Sequence, residues 1–155
     1  NYVILREKIE HEVYDTKRGD TSTSIALPYQ ERVGQWINEC FDPNIVGYNE
    51  KGESVAEDVL ERGDRLLEET LELLQATNYP SERVDSLVHY VYNRPVGEVT
   101  QEVGGVRTCI SALCNALGVD EELAAETELA RCWGKILKIR AKHSNKPRGS
   151  ALPGV

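Results

Sequence analysis

Apolar residues recur along most of this chain at three- and four-residue spacing, the period of helices with one buried face. Leu5, Ile9 and Val13 give a short amphipathic piece over residues 1–14, and the Ser-, Thr-, Asp- and Gly-rich stretch 15–28 reads as a linker. A helix is predicted over 29–41, broken by Asp42-Pro43, with a loop over 42–53. Ser54 with Glu57 three residues on has the form of a capping box, predicting a long helix from 54 to about 77. Pro80 and Ser81 open another helix that runs to about Tyr92 and is ended by Asn93-Arg94-Pro95. A helix from Glu98 stops at Gly118, and a last one covers roughly 120–142 before an irregular tail. No alternating strand pattern and no solenoid repeat interrupts this series, so the chain is expected to be all-α.

Several polar residues do not fit their positions. At about 100° per residue, Val99, Val103, Val106, Ile110, Leu113 and Leu117 form one apolar arc, and Glu102 falls inside it. Glu98 and Gly105 fall beside that arc. A carboxylate facing a core must be protonated, paired or bound to a cation, so Glu102 is a candidate ligand or one half of an ion pair, for example with Arg140. On 54–77, Glu68, Glu69 and Glu72 cluster opposite the leucine arc, which is a solvated face or one wall of a metal site. Arg65, four residues before Glu69, is placed to offset part of their repulsion. Arg140 projects into the arc of Leu129, Trp133, Ile136 and Leu137 and needs a carboxylate or a phosphate. Arg131, Lys135, Lys138 and Lys142 make a basic stripe, either solvated or phosphate-facing. Trp36 is a core residue or a stacking platform for a base. Gly104-Gly105 in mid-helix calls for a close neighbouring helix or room for a ligand.

Composition narrows the classes. The 155 residues, 40% hydrophobic and 28% charged, suit one domain or a subunit of a helical oligomer. The formal net charge of −8 argues against duplex nucleic acid as a partner, though not against a single nucleotide. The four cysteines lack zinc-site spacing and read as reduced core thiols. No apolar run is long enough to span a bilayer and no signal peptide is visible, so no membrane partner and a cytoplasmic location are expected. With Asn1 first and no methionine, the native start is expected to be missing.

With EETLE at 68–72, QEVGG at 101–105 about thirty residues later and a basic last helix, the chain resembles the MazG-like all-α nucleoside triphosphate pyrophosphohydrolases. It resembles a phage and bacterial branch whose second motif reads E-V-G-G. The resemblance covers about residues 29–153 and implies a MazG-like helical domain over 29–146. Residues 1–28 stand before it as an amphipathic segment and linker, and 147–155 form the irregular tail. It implies a helical bundle completed by homo-oligomerisation, as a homodimer or homotetramer. The implied reaction is Mg²⁺-dependent, with Mn²⁺ as the alternative ion, and converts an NTP or dNTP to the monophosphate and pyrophosphate. Glu69, Glu72 and Glu102 match the family's metal ligands, with Glu68 beside them as the base that orients water. Gly105 stands where the family has aspartate, and Glu98, one turn before Glu102, is the candidate to fill that gap. Arg65, Arg140, Lys142 and Lys146 would address phosphate oxygens, and Trp36 the base. With one ligand lost, the alternative is a non-catalytic nucleotide-binding or structural helical oligomer.

Overall fold

The computed structural model describes residues 27–145, so Lys146, the segment 1–26 and the tail 147–155 lie outside the described residues. All regular structure among them is helical: α1 Tyr29–Cys40, α2 Pro43–Val46, α3 Val59–Ala76, α4 Ser81–Tyr92, α5 Val99–Leu117, α6 Glu121–Trp133 and α7 Ile136–Ser144. The all-α expectation holds. The described residues divide into two units, one made of 27–58 with 120–145, the other of Val59–Val119.

In the first unit α1 packs on both α6 and α7, which also pack on each other. Cys40, Phe41 and Leu129 are its buried apolar residues, and Ser54 is buried with them. Phe41 is the hinge of an aromatic cluster. Its ring meets Trp36 edge-on at 6.1 Å and His143 at 5.2 Å, the offset geometries aromatic quadrupoles favour. Polar contacts pin α1 to α6. Arg32 donates a forked pair of hydrogen bonds to the Glu126 carboxylate, one of them at 2.6 Å. The Tyr29 hydroxyl donates to the Ala125 carbonyl at 3.2 Å.

Three expectations are corrected, the first being the loop over 42–53, which contains the one-turn α2 capped by the Asp42 carboxylate on the Asn44 amide. The helix expected from Ser54 begins at Val59. The Ser54–Glu57 pairing does form, since the Ser54 amide and hydroxyl both donate to Glu57 Oε2 at 3.1 and 2.9 Å, but it closes only one turn. The Asn49 amide holds that turn apart from α3, donating to Glu53 and Asp58 at 2.9 Å each while its carbonyl accepts from the Lys51 and Glu53 amides. The last helix, expected as one piece over 120–142, is two. At Gly134-Lys135 the bonding tightens from Gly134 N–H on Ala130 to Lys135 N–H on Cys132, and α7 starts afresh with Ile139 N–H on Lys135. The arc and the basic stripe drawn through this region therefore lose a common phase. Leu129 is buried and Ile136 and Ile139 half-buried, while Trp133 and Leu137 are exposed.

In the second unit the boundaries fall close to expectation. α4 starts after Pro80, and α5 ends at Gly118, whose φ of 66° is the left-handed stop a glycine supplies. No residue of Val59–Val119 is buried in the single chain. Leu66 and Leu67 of α3 and Val103 and Val106 of α5, expected to face a core, are more than half exposed.

Candidate functional site

The acidic residues singled out from the sequence lie on α3 and around the start of α5. Glu68 and Glu69 are adjacent on α3, with Glu72 about one turn further on. Glu68 is half-buried and ion-paired with Arg65 one turn away, while Arg65 Nε also reaches Glu61 at 3.4 Å. The arginine expected to offset Glu69 therefore serves its two neighbours. Glu69 and Glu72 are exposed, three residues apart on one side of the helix, and form no hydrogen bond or ion pair among the described residues. They are the two carboxylates of the motif with lone pairs open to a ligand.

At α5 the geometry is different. Glu98 is not in the helix but is its N-cap, its carboxylate accepting from the amides of Thr100 and Gln101 at 3.0 and 2.9 Å. Those two amides hold its carboxyl below the usual glutamate range. The structure thus gives Glu98 the work of satisfying two orphan donors at a helix start, where the macrodipole favours a negative charge. Glu102, in the first turn, is exposed rather than inward-facing and folds back over Gly97. A Cβ on Gly97 would come within 2.0 Å of Glu102 Oε1, so the missing side chain is what leaves that place open. The seat at Gly97 was not anticipated, although a glycine just before an acid-capped helix was the signal for it. Gly104 and Gly105 have open space where a side chain would stand, with no atom from elsewhere among the described residues within 4 Å of it.

Arg140, a candidate phosphate contact, donates instead to two main-chain carbonyls at the end of α1, Cys40 O at 2.8 Å and Glu39 O at 2.6 Å. These main-chain carbonyls, rather than a carboxylate, are what it pairs with among the described residues. The last carbonyls of a helix carry partial negative charge and lack partners of their own, which is enough to hold a guanidinium. Trp36 is half-buried in the aromatic cluster, as a core tryptophan would be, with its indole N–H buried and without an acceptor among the described residues. Lys142 is exposed near the end of α7. Of the four cysteines, none in a disulfide, Cys40 is the one buried as a core thiol, as was expected of each. Burial, reinforced by Glu128, pushes the Cys132 thiol up to about 11.

Among the described residues no three acidic, histidine or cysteine side chains are gathered so that they could hold a metal ion. The carboxylates of α3 and α5 therefore do not fit a Mg²⁺ seat within one chain. Also among the described residues, no helix is long and apolar enough to cross a membrane. Comparison with protein-family models, curated proteins and solved structures finds no match to this chain.

Proposed function

We propose that the chain is a nucleoside triphosphate pyrophosphohydrolase of the MazG-like kind, cleaving an NTP or dNTP to the monophosphate and pyrophosphate. One observation carries the reading: Glu69 and Glu72 stand free and exposed one turn apart on α3, in a motif spaced from Glu102 as that family's is. Glu68, tethered by Arg65, is the fixed member of the trio and suited to orienting a water rather than binding an ion. Hydrolysis of this class depends on Mg²⁺ or Mn²⁺. The described residues of one chain gather no three-ligand seat for either ion. The active form is a homodimer or homotetramer in the cytoplasm.

Release of pyrophosphate from a panel of NTPs and dNTPs, with and without Mg²⁺, tests this directly. Glu72→Gln should abolish turnover while leaving the circular dichroism spectrum unchanged. Full activity in that variant, or no pyrophosphate from any nucleotide with wild type, would remove the assignment. A second reading is favoured by the missing three-ligand group and by the engagement of Glu98 as a cap. In it the chain is a non-catalytic helical oligomer that binds nucleotide or serves structure alone. Nucleotide binding by calorimetry without product formation would select it.

A further inference from the structure

Residues 59–119 carry nine acidic and five basic side chains, so an anion that binds there depends on whichever basic groups are still available. Arg62 lies 3.7 Å from Glu61, and Arg65 serves Glu61 and Glu68. Arg107 is engaged as well. Two arginines are left, both exposed near the ends of α4 and without a carboxylate partner among the described residues. They are held alike. The Arg83 guanidinium lies over the Tyr79 ring at 5.5 Å, and its Nε donates to the hydroxyl at 3.3 Å. Arg94, eleven residues on, lies over the Tyr90 ring at 4.7 Å and donates to that hydroxyl through Nη1 at 3.4 Å. Eleven residues are about three helical turns, so the two Tyr–Arg pairs share one side of α4.

Arg94 is the one that stands beside the acids of α5. Gly97, over which Glu102 Oε1 rests, is three residues further, so the Cα atoms of Arg94 and Gly97 are at most about 11 Å apart. Glu98 follows at once as the cap of α5. The arginine is also set in place beforehand. Its amide donates to the Val91 carbonyl at 3.1 Å, the Asn93 side chain donates to His89 O at 2.8 Å, and Pro95 restricts the Arg94 backbone. A guanidinium laid on a ring has lost much of its rotamer freedom before a ligand arrives. With Nη1 on the Tyr90 hydroxyl, the edge formed by Nε and Nη2 is open for a forked contact with two phosphoryl oxygens.

We infer that Arg94 is a phosphate-binding residue of the nucleotide site and that Tyr90 is the residue that positions it. Arg94 takes the task for which the sequence offered Arg65 and Arg140, both of which the structure engages elsewhere. The inference rests on the proposed function, to which it adds a phosphate contact from the end of α4. Arg83, in an equivalent pair at the other end of α4, is the internal control for positive charge alone.

Calorimetry with inorganic tripolyphosphate and Mg²⁺ measures this contact whatever the base, and pyrophosphate release from the nucleotide cleaved fastest measures it in turnover. Arg94→Gln should weaken tripolyphosphate binding at least about tenfold and raise KM as much, with kcat changed less than about threefold. Arg94→Lys, which keeps the charge but not the planar fork, should recover part of the loss. Tyr90→Leu should raise KM roughly two- to fivefold, whereas Tyr90→Phe, which keeps the ring, should stay near wild type. Arg83→Gln should change neither quantity. On wild type, tripolyphosphate should shield Arg94 and not Arg83 from phenylglyoxal, read by peptide mapping. Arg94→Gln that binds tripolyphosphate within about twofold of wild type, an equal loss in Arg83→Gln, or Arg94 labelled alike with and without tripolyphosphate would each overturn the inference. Wild type that turns over while Arg94→Gln keeps its KM sinks this inference alone. Wild type that binds tripolyphosphate through Arg94 yet releases no pyrophosphate sinks the activity and leaves the contact standing. Wild type that does neither ends both.

Discussion

Arg32 and Glu126 are 94 residues apart in sequence and make the most explicit test of how the first unit is held. Their side chains are 20% and 29% exposed, between the surface and buried regimes. Exposed pairs contribute about 0–1 kcal/mol, and removing one partner of a fully buried pair costs about 3–5 kcal/mol. With roughly a quarter of each side chain still wet, solvent screening discounts the upper figure, and Arg32→Met should cost about 2 kcal/mol. For a unit of this size that is a fall of roughly 8–16 °C in melting temperature. Arg32→Met, Glu126→Gln and the double variant form a cycle, read by near-ultraviolet dichroism of the cluster around Trp36 and Phe41. The hydrogen bonds from Arg32, opposed by burial and aided by its charge, lower the Glu126 pKa. A carboxyl depressed on folding contributes stability above its unfolded pKa and loses it as pH falls through the folded one. The coupling should therefore be full at pH 7 and fade at acid pH below the ordinary glutamate range. A coupling energy under about 0.3 kcal/mol, or one indifferent to pH, would show that the pair merely decorates the α1–α6 contact.

Three other outcomes are expected. Glu98→Ala should speed exchange of the Thr100 and Gln101 amides and fray the start of α5; because its pKa is lowered, acid should reproduce this as pH drops through the folded value, and unchanged exchange would deny it the cap. Arg140→Ala should lower the melting temperature by several degrees, with partial rescue by Lys, yet leave turnover per folded molecule intact; a lost kcat at constant fold would return Arg140 to the substrate. At pH 8 iodoacetamide should label exposed Cys109 well before Cys132, whose thiol near 11 is about one part in a thousand thiolate, and peptide mapping that found the opposite order would contradict the Glu128 contact.

The longer helices and most of their ends were legible because they follow from local rules, proline before α4, glycine after α5 and an apolar period throughout, whereas the four-residue α2 lies in the segment read as a loop. Failures arose where a long-range or loop contact outweighed them. Asn49 bridges to Asp58 across a loop, so a correctly read Ser54–Glu57 turn does not propagate into α3. A two-residue irregularity at Gly134-Lys135 rotates everything after it, and an arc drawn straight through 120–142 cannot register that. Arg140 was rightly singled out as needing a partner, but helix-end carbonyls from 100 residues away leave no periodic trace. For the acids, spacing identified the group on α3. It could not distinguish Glu98 inside the helix from Glu98 one step before it, where a ligand becomes a cap.

The first unit is discontinuous along the chain, since α1 must wait for α6 and α7 until everything between them has been made. Were residues 59–119 a slack loop, bringing its ends together would cost roughly 3–4 kcal/mol in chain entropy, from (3/2)RT ln n. Helices shorten and stiffen that span. Anything that melts α3, α4 or α5 thus lengthens the tether joining the Arg32 and Glu126 sides of the first unit, and lowers their effective concentration for each other. During synthesis the Phe41 cluster cannot close before His143 has left the ribosome. Until then Trp36 and Phe41 are bare apolar surface on a nascent chain, the state most open to chaperone capture or aggregation.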